Sequence, residues 1–296
     1  MSYTSIVLVK QVPDTANISG QVMKPDGTVN RAKLPAIFNP EDKVALELAL
    51  QVRDRYNGKV IALTMGPPKA SELLRECLYM GVDETYLISD RKFAGADTLA
   101  TSYVLSEAIK KIGNYDFIFA GRQAIDGDTA QVGPQTAEKL KIPQVTYAEE
   151  IIEVKKDKMT IKRKIDGGFE KLEAKIPLLI TVIKDAAKPR PFKAKRVMAY
   201  KNAKTLSELE ELTQANSLLY IDTLQEEFVS KGLYIHTFTM DDLDVDPERC
   251  GISGSPTKVH KIDSVILGGG EHEKIEPTKD GLGGLIDQLM ADHIFG

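Results

Sequence analysis

Short β-branched runs alternate with longer helical patterns through the first 145 residues, and this rhythm constrains the fold more than any other feature. Ser5–Val12 reads as a strand, and a helix opens sharply at Asn39-Pro40-Glu41-Asp42. Asn suits the N-cap, Pro the first helical position and acids the first turn. Further strands are predicted at Lys59–Thr64, Glu84–Ser89 and Asp116–Ala120, and further helices at Lys69–Met80, Thr98–Ile112 and Ala130–Leu140. Strands that alternate with helices imply a parallel sheet covered on both faces. The expected class is α/β, a doubly wound and mostly parallel Rossmann-like sheet. One interruption is expected: Lys24-Pro25-Asp26-Gly27 is a turn signal for a small hairpin within Ser19–Asn30.

Beyond Pro143 the rhythm changes. Tyr147–Val154, Met159–Ile165 and Phe169–Ile176 predict a β-meander, and Pro177–Ile183 is apolar enough to return to the central sheet. From Lys184 the chain is basic, then acidic. Thr205–Leu212 predicts a short acidic helix and Gly281–Ile294 a terminal one. A tail with no evident core of its own is expected to pack on another surface. The division is therefore placed near residue 185, with an α/β domain over 1–185 and a basic loop plus C-terminal extension over 186–296.

Composition excludes several functions. The 296 residues suffice for one large or two ordinary domains, at roughly 150 residues each. Thirty-nine basic residues against 43 acidic ones give a net charge of −4, so no polyanion-binding surface and no nucleic-acid partner are expected. Cys77 and Cys250 lie far apart, and His236, His260, His272 and His293 form no metal-ligand spacing. No metal site or Cys/His nucleophile is expected. No apolar run approaches about 18 residues, and Met1–Thr4 lacks the marks of a signal peptide. A cytoplasmic chain with no transmembrane segment is expected.

In an open parallel sheet, ligands bind beyond the carboxyl ends of the strands, at the topological switch point. The readable strand ends are Lys10–Asp14, Met65–Pro68, the loop into Asp97-Thr98, and Gly121–Thr129 (GRQAIDGDT). The last is the most informative. A glycine ends a buried strand, and a polar loop leads to a helix expected to begin near Thr129. Free N–H groups there, with the Thr129 hydroxyl and Arg122, would make a phosphate site. Alternatively, Asp126, Asp128 and Thr129 cap the helix. No GxxxxGK[ST] loop is present, and Gly268–Gly270 and Gly281–Gly284 read as turns.

Taken together, these segments resemble the β subunit of electron transfer flavoprotein. The resemblance rests on Val9–Asp14 (VKQVPD), Asn39–Asp42 with Ala45 and Glu47, Gly121–Pro134 (GRQAIDGDTAQVGP) and Ile161–Thr181. It implies that Leu8, Val9, Lys10, Asn39, Pro40, Glu41, Asp42 and Met65 hold an adenine nucleotide. With them it implies the whole loop: Gly121, Arg122, Gln123, Ala124, Ile125, Asp126, Gly127, Asp128, Thr129, Ala130, Gln131 and Val132. In the mitochondrial type of the family the nucleotide is AMP, and in the electron-bifurcating type it is FAD. The Asp126–Thr129 sequence, the Asp97–Thr101 segment (DTLAT) and the extension with Arg249–Val259 (RCGISGSPTKV) resemble the bifurcating type.

The resemblance further implies an α subunit as heterodimer partner, NADH as electron donor, ferredoxin or flavodoxin as low-potential acceptor, and an acyl-CoA dehydrogenase or quinone as high-potential acceptor. Thr98 and Thr101 read either as hydroxyls turned to a flavin or nicotinamide, or as a helix cap and its neighbour. Arg122 reads as a cation for flavin tuning or for phosphate. One departure stands out: the leucine anchor for acyl-CoA dehydrogenases in the mitochondrial type is replaced by Ala194 or its basic neighbours in Lys188–Lys195. That stretch reads as a solvated loop or as a docking site for the partner subunit or an acidic redox protein. Two other functions compete with electron bifurcation: a structural AMP-holding subunit and a nucleotide hydrolase, the latter lacking a phosphate-lysine motif.

Overall fold

A computed structural model describes residues 2–14, 34–215, 220–257 and 274–292. The hairpin expected within Ser19–Asn30 and the Gly268–Gly270 turn lie outside them. The chain divides into two compact units, 1–259 and 260–296.

In the first unit, β1 (Tyr3–Leu8), β4 (Gly58–Met65), β5 (Glu84–Ile88) and β6 (Phe117–Gly121) form the parallel centre of a nine-stranded sheet. Two short strands, β2 (Gln11–Pro13) and β3 (Ala36–Phe38), pair apart from it. The meander β7 (Gln144–Lys155), β8 (Lys158–Ile165) and β9 (Gly168–Lys175) follows, and β10 (Leu178–Val182) inserts between β6 and β7. A last strand, β11 (His236–Phe238), completes the order β11-β5-β4-β1-β6-β10-β7-β8-β9. Only the β7-β8 and β8-β9 pairs of this sheet are antiparallel.

Alternation along the central strands builds two cores. Tyr3 and Val7 of β1, Phe117 and Phe119 of β6, and Leu178 and Ile180 of β10 face one side. There they meet α1 (Pro40–Tyr56) and α2 (Ser71–Met80) through Leu46, Leu50 and Leu74. Ile6, Ile118 and Leu179 face the other side, against α3 (Thr98–Ile112) and α4 (Val132–Leu140). Side chains on successive strand residues point to opposite faces, so near-continuous apolar runs are what a doubly covered sheet requires. Because β4 lies on one side of β1 and β6 on the other, the switch point falls between β1 and β6.

The stretch from residue 186, expected to lie on another surface, first returns to this same unit. Its helices are α5 (Ala194–Tyr200), α6 (Leu206–Ala215) and α7 (Ile221–Ser230), the first and last without a clear sequence signal. Ala203 and Ile235 are fully buried in the first core, and β11 pairs with the β5 edge. Arg196 donates to the carbonyls of Leu78 and Val82 at the end of α2. Thr205 and Glu208 exchange the reciprocal bonds of a capping box. The Lys188–Lys195 loop is solvated over most of its length but anchored at one point: Arg190 binds the buried Glu47 through its backbone N–H and guanidinium, and Asp54 as well, while Lys188 and Pro191–Lys195 are exposed.

In the second unit α8 spans Lys279–Ala291, beginning two residues before the expected start; Thr278 caps it by accepting from the Gly281 N–H. No helix among the described residues is long and apolar enough to cross a membrane.

Candidate nucleotide site

Between the ends of β1 and β6 sits the first turn of α1. Asn39 occupies the N-cap position, but its side chain forms no capping bond. It spans the switch point instead: Nδ2 donates to the Gln123 carbonyl at 2.9 Å, and Oδ1 accepts from the Ile125 N–H at 3.2 Å. Glu41 and Asp42, acids suited to the first helical turn, are both buried. Asp42 accepts from the Lys10 N–H at 2.8 Å on one oxygen and from the Gly121 N–H at 3.1 Å on the other. Glu41 accepts from the Gln123 N–H at 2.9 Å and from Arg122 Nη2 at 3.0 Å. One helical turn therefore ties the two strand ends together, using side chains whose burial the sequence pattern did not reveal.

Burial pushes the Asp42 carboxyl up to about 7, although hydrogen bonds from Asn39, Lys10 and Gly121 pull the other way. A folded-state value above the unfolded one means that this group favours the fold below about pH 4, and that the contribution is lost as pH rises through about 7. The stability of the wild type, measured by urea unfolding between pH 5 and 8, should fall with pH more steeply than that of Asp42→Asn. Parallel curves would show that Asp42 does not titrate in this range.

The loop after β6 departs from its expected form. Asp128 and Ala130 have positive φ (48° and 53°), which breaks helical continuation, so α4 begins at Val132 and not near Thr129. Nor do the acids cap it. Asp126 accepts both bonds from Lys10 Nζ, at 2.9 and 2.7 Å, and Asp128 accepts from Gln123 Nε2 at 2.8 Å. Gln131 is the N-cap residue and makes no side-chain capping bond. The N–H groups of Gly127 and Asp128 turn back to the Ala124 carbonyl. Those of Thr129, Ala130, Gln131, Val132 and Gly133 meet no acceptor among the described residues. Successive N–H groups where left- and right-handed residues alternate form a concavity suited to an anion, here at the start of a helix. Beside Gly127 the space is open: an added Cβ would meet nothing within 4 Å.

Other expected residues fall around this loop in different ways. Leu8 and Val9 are buried in the two cores and present only backbone to the rim. Pro40 has no N–H to offer, and Met65 ends β4 half-buried. Thr98 is the first residue of α3, and its hydroxyl donates to Gln131 Oε1 at 2.8 Å, joining the two helix starts. The cap itself is Asp97, which accepts from the N–H groups of Leu99 and Ala100. Although burial opposes it, hydrogen bonds from Ala100, Thr257 and Leu99 hold the Asp97 carboxyl below the usual carboxylate range. The Thr101 hydroxyl has no partner among the described residues.

Tyr147 is a rim residue without a sequence signal. It holds φ at 59° on β7, its ring is exposed, and Arg122 lies 5.7 Å from the ring centroid. A bulky residue at positive φ stores strain of about 1–3 kcal/mol, a condition that concentrates at functional sites. Arg122 is thus held between Glu41 and Tyr147, with Nε buried and unpartnered among the described residues. No group of three or more potential metal ligands occurs among the described residues.

The chain is similar to known proteins over most of its length. A family profile described as the electron transfer flavoprotein domain matches residues 26–210. The electron transfer flavoprotein subunit beta of Clostridium acetobutylicum is 40% identical over 97% of this chain and 98% of its own length. The caffeyl-CoA reductase-Etf complex subunit CarD of Acetobacterium woodii is 40% identical over 98% of each chain. The acryloyl-CoA reductase electron transfer subunit gamma of Anaerotignum propionicum is 42% identical over 97% of this chain and 98% of its own. The chain belongs to the electron transfer flavoprotein family, as a β subunit.

Proposed function

We propose that this chain is the β subunit of a cytoplasmic, electron-bifurcating electron transfer flavoprotein, and that it holds FAD at the rim between β1 and β6 and receives electrons from NADH. With an α subunit it passes electrons to a low-potential acceptor, ferredoxin or flavodoxin, and to a high-potential acceptor, an acyl-CoA dehydrogenase or quinone. The observation that carries this reading is the run of five unpartnered backbone N–H groups from Thr129 to Gly133 beyond β6. They suit the pyrophosphate of a dinucleotide, and the open space beside Gly127 admits it. A bound flavin would supply the redox chemistry, exchanging electrons in pairs or singly.

The chain's own residues hold and tune. Lys10 and Asp126 brace the loop, and Arg122, paired with the buried Glu41, brings its guanidinium to the rim. The coenzyme A reductase names of two relatives support a redox partner of that class. In the second unit, Leu282, Ile286 and Met290 lie exposed at four-residue spacing on α8, which supports an extension that packs on the α subunit. A second reading, structural AMP on the same N–H run, differs in requiring only one phosphate.

Thr98 and Thr101 test the bifurcating type. Replacing both with Val keeps their volume, so FAD should remain bound. NADH-driven reduction of the low-potential acceptor should fall by about tenfold, the effect of roughly one hydrogen bond in the transition state. An unchanged rate with an unchanged division of electrons would reject these residues as part of the donor path.

A further inference from the structure

The segment from Asp246 to Thr257 is fixed against the start of α3. Asp97 accepts from the Thr257 N–H at 3.0 Å and hydroxyl at 2.7 Å, and its own N–H donates to Ser255 Oγ at 2.8 Å. The Tyr103 hydroxyl accepts from the Asp246 N–H at 2.9 Å. Gly251 holds φ at 54°, and a Cβ there would lie 2.2 Å from the Lys92 carbonyl oxygen, so the backbone passes where no other residue fits. These bonds shape a cavity of about 370 Å³ between the segment, α3 and α4.

Two cations line that cavity. The Arg249 guanidinium lies 3.9 Å from the Tyr103 ring centroid, and Lys139 reaches in from α4. Neither forms an ion pair among the described residues, and nor does Glu248, the one acid among the residues lining the cavity. Burial, reinforced by repulsion from Arg249, holds the Lys139 ammonium below the ordinary lysine range, although the Asp97 and Glu138 carboxylates nearby pull the other way. Like charges set around a preformed cavity, with the Ser253 hydroxyl beside them, gain most from a ligand that brings negative charge and several acceptor oxygens.

We propose that this cavity is a second oxyanion site, separate from the Gly121–Val132 loop, that takes a phosphoryl group from free phosphate or from a soluble nucleotide. It adjoins the rim, because Leu99 in its wall follows Thr98, which is bonded to Gln131. It does not depend on which nucleotide the loop holds.

Calorimetric titration of the full-length chain, purified with its partner subunit, tests the site with inorganic phosphate and, separately, with NADH. Phosphate should bind the wild type, and Arg249→Gln and Lys139→Gln should each weaken it by about tenfold. Arg249→Lys, which keeps the charge, should weaken it less. A parallel loss of NADH affinity in Arg249→Gln would identify the nucleotide as the phosphoryl source; a loss confined to phosphate would identify the free ion. Absence of phosphate binding in the wild type overturns the proposal. So does binding that survives undiminished in both glutamine variants.

Discussion

Gly121→Ala should destabilise the protein by about 3 kcal/mol, lowering the melting temperature by roughly 5–10 °C. At this position a Cβ would stand 2.4 Å from Asp42 Oδ1, 2.7 Å from the Asp42 nitrogen and 2.8 Å from the Glu41 carbonyl carbon. Two of these are backbone atoms of the first turn of α1, so no side-chain rotation relieves the clash. The turn must move away, and the Gly121 N–H then loses its Asp42 acceptor while the Glu41 and Asn39 bonds to the loop lengthen. Thermal unfolding measures the effect. A melting temperature within about 2 °C of wild type would show that the junction is soft.

Asp42→Ala should cost about 2–5 kcal/mol through a different mechanism. It creates little clash but leaves the Lys10 and Gly121 N–H groups without acceptors in a buried site, at about 1–3 kcal/mol each. Asp42→Asn keeps one carbonyl acceptor and should fall between Ala and wild type in urea unfolding. Equal stability of the Ala and Asn variants would mean that neither N–H bond contributes. Both alanine substitutions, at Gly121 and Asp42, should also loosen the rim loop, since the same turn holds Gln123 and Ile125.

The α/β alternation was legible because doubly covered strands must be apolar on both faces, as Phe117–Gly121 and Leu178–Val182 are. The return of the second of these to the sheet centre was readable for the same reason. The role of Asn39–Asp42 was only half legible. Helix-start residues carry the same local signature whether they cap their own turn or reach across to another strand, and only tertiary proximity separates the two. The later start of α4 was hidden because Asp and Ala give little sequence warning of the left-handed conformations at Asp128 and Ala130.

The path of the tail was hard to foresee for another reason. Its attachments are distant in sequence: among them are Arg75 to Glu208, Arg196 to the end of α2, Arg190 to Glu47, and a three-residue strand at the β5 edge. The first three are long-range pairings made by residues whose local pattern reads as a charged surface. Tyr147 was equally silent, since its distinction is backbone conformation.

Flavin and AMP counts on the heterodimer decide whether the Gly121–Val132 loop holds FAD. Acid release and chromatography of the complex purified with its α subunit should give two flavins and no AMP for the wild type. The same assay on Gly127→Val, whose added side chain meets open space in the protein itself, should give one flavin with the fold intact. One flavin plus AMP in the wild type, or two flavins retained in Gly127→Val, would contradict FAD binding by the loop.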